Sequence, residues 1–346
     1  MIYIVKHSKY SAFRIFGLFF LGSLVFACSS SQNKQENIVL EGYTQGTTYR
    51  ISYWGNNQIN YQRAIDSILI AFDNSLSTYN KKSILTKFNN SDTLLVVDDF
   101  FILVFNSSKK IYHQTNGAFN PTVTHLVNAW GFGFKNTEKT DSLSIDSLLK
   151  LVDFDAVTIK NDTVFKSKKE LMLDFNAIAQ GYSVDVVANF LEENEIENYL
   201  IEIGGELRAK GNNINGNLWR VGIDKPIENQ ENRVLKAIVN IGNGALATSG
   251  NYRKFYEKNG QKFSHTINPK TGYPVRHSLL SATVVTKDCA SADALATAFM
   301  VLGLEESKVW LEKNSEIDAL LIYDDGKGGL ATFITPTLEK MVEIIE

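Results

Sequence analysis

Asp293 and Thr297 lie four residues apart in the alanine-rich run Ala292-Asp293-Ala294-Leu295-Ala296-Thr297. In a helix that spacing puts both side chains on one face, one turn apart. A carboxylate and a hydroxyl held together are hard oxygen donors that suit Mg²⁺, and Mg²⁺ in turn suits a phosphate-bearing substrate. The same pair can also be a helix cap or a solvated face, so it decides nothing alone. Upstream, Ser264-His265-Thr266-Ile267-Asn268-Pro269-Lys270-Thr271-Gly272 is a polar turn that presents a histidine, either a base or a surface residue. A third segment, Leu173-Asp174-Phe175-Asn176-Ala177-Ile178-Ala179-Gln180-Gly181-Tyr182-Ser183-Val184-Asp185, leaves a strand through a small-residue turn and enters a helix. Such turns bring backbone close to a ligand. They also make tight strand-to-helix joints, with Asp174 as a cap.

Several elements must position these residues. Ile38 to Trp54 reads as strand, turn, strand, with the turn at Thr44-Gln45-Gly46-Thr47-Thr48. Apolar spacing at Ile65, Ile68, Leu69 and Phe72 predicts a helix over Tyr61 to Leu76, and a second covers Phe100 to Gln114. Lys135 to Ser147 is polar and charged and reads as a surface loop. Val157 to Leu173 alternates like a hairpin turning at Asn161-Asp162, and Gly181 to Glu193 is an amphipathic helix. Strands are expected over Leu200 to Ala209, Trp219 to Ile223, Leu235 to Ile241 and Ser281 to Thr286. Ser291 to Leu304 and Glu306 to Asn314 read as helices, and Ala319 to Tyr323 with Leu330 to Thr335 as a closing hairpin. Blocks of strands and helices without regular βαβ alternation point to an α+β fold with mainly antiparallel sheets and flanking helices. Neither a Walker A motif nor a dinucleotide-binding glycine fingerprint is present, which disfavours those nucleotide folds.

The N-terminus reads as targeting sequence. Lys6, Lys9 and Arg14 precede an apolar run ending at Ala27-Cys28-Ser29-Ser30-Ser31, and no acidic residue occurs before Glu36. The run is short for a membrane span, and its ending resembles a bacterial lipoprotein signal. Residues 1–27 are then a signal peptide, 28–40 a polar tether and 41–346 the folded domain, with Cys28 acylated. An ordinary secretory signal or a short anchor helix is the alternative. Loss of residues 1–27 removes three basic and no acidic side chains, taking the formal net charge from −3 to −6. That balance argues against a nucleic-acid partner. Cys28 and Cys289 are the only cysteines, so a lipidated Cys28 leaves no intramolecular disulfide. A body of about 310 residues is long enough to bury a large core unaided.

Further short motifs lie in order along the chain: Gly46-Thr47-Thr48-Tyr49, Ser77-Thr78-Tyr79, Gly117-Ala118-Phe119-Asn120-Pro121, Ile203-Gly204-Gly205-Glu206 and Ala247-Thr248-Ser249-Gly250. Together with the Asp174–Asp185 run, the His265 turn and the Asp293–Thr297 pair, they resemble the ApbE family. Its members are FAD:protein FMN transferases, many of them lipid-anchored, with a T-fold-related architecture. The likeness spans about residues 41 to 346. It implies Mg²⁺ held by Asp293, Thr297 and the backbone carbonyl of Ala177, with FAD bound as substrate. Flavin contacts carry over to Gln45, Tyr79, Ala118, Phe119, Asn120, Asp174, Gln180 and Ile267. His265 matches the histidine proposed as base or as orienter of the reacting phosphate, and Asp293 shares the catalytic role through the metal. Gln45 stands where methionine is frequent, Asn120 and Asn268 replace aspartates, and Gln180 replaces a lysine or glutamate.

The implied reaction moves the FMN half of FAD onto a Thr or Ser hydroxyl of a partner flavoprotein and releases AMP. Acceptors of this family carry a Ser/Thr-Gly-Ala-Thr/Ser-type motif and belong to redox complexes. This chain lacks that motif, so it reads as the modifier: exported, lipid-anchored to a bacterial membrane and facing the periplasm. Two other readings keep the site, namely Mg²⁺-dependent hydrolysis of FAD to FMN and AMP, and a flavin-binding lipoprotein without turnover.

Overall fold

The computed structural model describes residues 36–345, apart from 56–57, 92, 134–141, 228–233, 252–254 and 259–260. The signal segment 1–27, Cys28 and most of the tether lie outside the described residues. In chain order the elements are β1 (Ile38–Thr44), β2 (Thr47–Trp54), α1 (Gln62–Leu76), α2 (Ile84–Asn90), β3 (Leu94–Val96), α3 (Asp99–Gln114), α4 (Thr124–Ala129), α5 (Ser142–Leu149), β4 (Val157–Lys160), β5 (Thr163–Lys166) and α6 (Ala179–Glu193). There follow β6 (Asn198–Ile203), β7 (Glu206–Lys210), β8 (Trp219–Asp224), β9 (Leu235–Ile241), β10 (Gly244–Gly250), β11 (Phe255–Lys258), β12 (Gln261–Ser264), β13 (Leu279–Thr286), α7 (Cys289–Leu302), α8 (Leu304–Lys313), β14 (Asp318–Asp324), β15 (Leu330–Ile334), α9 (Pro336–Glu339) and β16 (Val342–Ile344).

The α+β reading is correct. Eight strands form one sheet in the order β1-β2-β6-β7-β10-β13-β14-β15, every neighbouring pair antiparallel. Strand alternation sends side chains to two different cores. On β14, Ala319 and Leu321 join the helical core with Phe101, Leu295 and Phe299. Leu320 and Ile322 join a second core with Trp219, Val239 and Leu338. The big sheet is therefore covered by helices on one face. On the other lies a small antiparallel sheet of order β16-β9-β8. A helix buried on every side is apolar all round, and α7 is such a helix: its buried set runs from Cys289 and Ala290 through Ala292 to Ala296 and on to Val301.

Some boundaries differ from the sequence reading. The first strand begins at Ile38, inside the segment read as tether, and Leu40 is buried in the core of β2 and α1. Leu200 to Ala209 is a hairpin, not one strand, because Gly204 and Gly205 take φ of +64° and +110° and reverse the chain. Of the segment Lys135 to Ser147, read as a loop, residues 135–141 lie outside the described residues and 142–147 belong to helix α5, whose Ile145 packs with Leu126 and Ile267.

Candidate functional site

Helix α7 is pinned at its start. Asp288 caps it by accepting from the Ser291 amide at 2.8 Å. From α6, the Asp185 carboxylate accepts the amides of Cys289 and Ala290, each at 2.9 Å, and is clamped by Arg208 Nη1 at 3.0 Å. Burial pushes the Asp185 carboxyl up to about 6, against the pull of those two amides. Helices α6 and α7 touch at Gly181. A Cβ there would stand 2.8 Å from the Cys289 carbonyl carbon and 2.9 Å from Asp293 Cβ. The close approach lets the Gly181 amide donate to Asp293 Oδ2 at 3.2 Å.

Asp293 and Thr297, one turn apart on α7, face a cleft of about 930 Å³. Asp293 is only 6 % exposed. Burial pushes its carboxyl up to about 7, with the Gly181 amide opposing. Thr297 Oγ1 lies 3.1 Å from Ser249 Oγ on β10. Opposite, the central turn is held by the Asp174 amide on the Pro121 carbonyl (2.8 Å), by the Asn176 amide on Asp174 Oδ1 (2.8 Å), and by the buried anchors Phe175 and Ile178. Ala177 from this turn lines the cleft. Burial also raises the Asp174 carboxyl.

Ala118, Phe119 and Asn120 reach the cleft from the end of α3. There the Phe119 amide donates to Thr115 Oγ1 at 3.2 Å, and Asn120 Oδ1 accepts from the Thr122 amide at 2.9 Å. His265 and Ile267 line the same cleft from the turn after β12. Asn268 does not line it. Its Oδ1 accepts the amides of Lys270 and Thr271, which shapes the turn that presents His265. The aspartate-to-asparagine change there falls on a structural position.

Gln45, Tyr79 and Gln180 are not among the lining residues. Gln180 Nε2 donates to the Ile203 carbonyl at 3.0 Å and sits against Gly204, where any Cβ would overlap it. Gln45 occupies the β1–β2 turn at φ +51°, with a buried Nε2 that lacks a hydrogen-bond partner. Tyr79 is 75 % exposed in the turn after α1. Asn176 Nδ2 reaches that turn at Thr78 Oγ1, 3.5 Å away.

One lining residue was given no role from sequence. Glu206, the first residue of β7, has a buried Oε2 without a hydrogen-bond partner. Burial, then the charge of Asp293, push its carboxyl well above the usual range. Two acids raised by burial, one of them raised further by the charge of the other, are a donor set short of a cation. Among the described lining residues Arg220 is the one lysine or arginine, and it is spent on Glu343 at 2.9 Å. A hard divalent ion on Asp293, Thr297 and the Ala177 carbonyl fits this chemistry. Among the described residues no group of three His, Cys, Asp or Glu side chains is placed to hold a metal. The set expected from the sequence mixes carboxylate, hydroxyl and carbonyl oxygens.

The profile of the ApbE family matches residues 45–321. The FAD:protein FMN transferase of Vibrio cholerae serotype O1 is 39 % identical over 303 residues, covering 84 % of this chain and 89 % of that protein. The enzyme of the same name from Haemophilus influenzae is 34 % identical over 94 % of this chain and 97 % of its own length. Among solved structures, the flavin transferase ApbE from Vibrio cholerae superposes with a TM-score of 0.79 at 35 % identity, covering 89 % of this chain and 99 % of that one. The apo flavinyl transferase ApbE from Pseudomonas stutzeri gives 0.80 at 31 %, covering 89 % and 97 %.

Proposed function

This chain belongs to the ApbE family, and from that premise we propose that it is an FAD:protein FMN transferase, moving FMN from FAD to a Thr or Ser hydroxyl of an acceptor protein and releasing AMP. The observation that carries the reading is the cleft itself. It gathers Asp293, Thr297, Ala177 and His265 beside the aromatic and small-residue wall of Ala118 to Asn120. Among its described lining residues it also offers a dinucleotide's phosphates almost no protein cation.

The site residues divide the work. Asp293, Thr297 and the Ala177 carbonyl would hold Mg²⁺, with Glu206 facing the same enclosure. When bound, the ion neutralises the diphosphate and the charge that grows on departing AMP. Phe119, Ile267 and Asp174 seat the nucleotide against the wall. The acceptor hydroxyl oxygen attacks the phosphorus of the FMN half as its proton passes to His265. The bond from that phosphorus to the bridging oxygen breaks, AMP leaves with the oxygen, and a phosphoester joins FMN to the acceptor. His265 then releases its proton to solvent. Export and acylation of Cys28 would hold the enzyme at the membrane surface, facing the periplasm, where redox-complex acceptors lie.

The test incubates the full-length protein in detergent with FAD, Mg²⁺ and a protein bearing a Ser-Gly-Ala-Thr segment. Flavin fluorescence that stays on the acceptor band in a denaturing gel is the expected result. Free FMN and AMP with an unlabelled acceptor would make the protein a hydrolase. Bound FAD with neither product would make it a flavin carrier.

A further inference from the structure

The small sheet ends on β8, which pairs with β9 on one side and with no described strand on the other. The ladder fixes which backbone groups that open edge carries. The Asn240 amide donates to Met341 and the Ile345 amide to Lys236, so alternate residues of β9 are committed to the β16 side. In an antiparallel ladder the residues between them face the other neighbour. Ile241, Val239 and Ala237 therefore bond Trp219, Val221 and Ile223. Arg220 and Gly222 point their N–H and C=O groups away from β9, out of the open edge.

That edge faces the catalytic cleft. Arg220 to Asp224, five consecutive residues, all line the cavity that holds Asp293, Thr297 and His265. Successive residues lie on opposite faces of a strand, so a run of five seen from one cavity is a strand presented edge-on. The outer strands β1, β15, β3, β4 and β16 contribute nothing to that lining. Open edges are usually blunted by lysine or proline. Trp219 to Asp224 contains neither, and the middle of the five cleft-lining residues, Gly222, is an exposed glycine.

Resting on the transfer reading above, we propose that the open edge of β8 is the docking strand for the acceptor protein. An extended acceptor segment adds to it through backbone hydrogen bonds to Arg220 and Gly222 and so carries its hydroxyl along the cleft to the phosphate site. This mode takes affinity from main-chain bonds and tolerates small acceptor side chains. It needs an acceptor segment free of proline at the paired positions.

Gly222→Pro tests the proposal, because it deletes an outward N–H that the β8–β9 ladder does not use. Gly222 has ordinary extended backbone, and a Cβ there meets only the Leu235 side chain, with Cδ2 at 2.7 Å. Gly222→Ala controls for that contact. Loss of the bond, with an acceptor carbonyl left unpaired, should lower kcat/KM for the acceptor about tenfold or more, and leave FAD affinity within about twofold. Gly222→Ala, which keeps the N–H and adds the same Leu235 contact, should lose markedly less than Gly222→Pro. Transfer by Gly222→Pro at the parent rate, or a parallel loss of FAD binding, overturns the proposal. Hydrogen exchange on the unsubstituted protein decides it without turnover: adding a Ser-Gly-Ala-Thr peptide and FAD should slow the amides of Arg220 and Gly222, and unchanged exchange at both overturns it. An unsubstituted enzyme that slows these amides but never labels the acceptor would sink the transfer reading and leave the docking strand standing.

Discussion

Gly181→Ala inserts one methyl group where two helices meet through backbone. Its Cβ would stand 2.8 Å from the Cys289 carbonyl carbon and 2.9 Å from Asp293 Cβ, distances that real Cβ atoms do not show. Neither neighbour is the free end of a flexible side chain, so α7 must move off α6 by about 0.5–1 Å to restore van der Waals contact. Cys289 and Ala290 are tied to Asp185 at the start of α7, so the strain falls on the turn that carries Asp293. Overpacking of this kind costs about 2 kcal/mol, a drop in Tm of about 4 °C for a body of this size. A reactive geometry displaced by about 1 Å loses on the order of 100-fold in rate. The assay pairs a thermal melt with flavin labelling of an acceptor under saturating FAD. A variant within about 1 °C and threefold of the parent would refute the claim that contact at Gly181 sets the position of Asp293.

Asp293→Ala should abolish Mg²⁺-dependent labelling. The cation-free variant should melt no lower than the parent at pH 8, because the lost group is a buried carboxylate that ionises at a cost. The sign of the pH dependence follows from the same shift. Burial raises the Asp293 carboxyl from 3.8 to about 7, so without a cation its contribution to stability is greatest below pH 3.8 and fades as pH rises towards 7. Mg²⁺ binding needs the ionised form, so the half-saturating Mg²⁺ concentration, read from Mg²⁺-dependent melting, should rise about tenfold per pH unit below 7. A flat profile between pH 8 and 6 would contradict that. Asp185→Asn should leave Arg208 underpaired and weaken the anchor of α7, costing about 3 kcal/mol in denaturant unfolding. A cost under about 0.5 kcal/mol would mean that Asp185 does not hold α7.

Much of the site could be read from residue spacing, because local periodicity governs where helices form. The Asp293–Thr297 pair needed only a helical repeat to share a face, and α7 supplies it. The Asp174 turn and the His265 turn were marked by small and polar residues that hold them through local bonds. What escaped was set by contacts between distant segments. Glu206 became a cleft residue only because Gly204 and Gly205 reverse the chain and bring β7 beside β10 and α7. The β10 strand has no polar alternation: Ala245, Leu246 and Ala247 are buried in succession, each in a different core cluster, so period-2 patterning was silent there. Gln180 was placed among flavin contacts by analogy, whereas here its amide supports the Ile203 carbonyl at the β6–β7 turn. The open edge of β8 depends on sheet order, which no local pattern encodes.

In the proposed site, oxygen atoms of Asp293, Thr297 and Ala177 meet at one ion. Anomalous diffraction from crystals of the FAD complex grown with Mn²⁺ in place of Mg²⁺ tests this directly. A single strong peak within bonding distance of Asp293, Thr297 Oγ1 and the Ala177 carbonyl, beside the pyrophosphate, is the expected result. Manganese bound to the pyrophosphate alone, with those three groups turned away from it, would contradict the account.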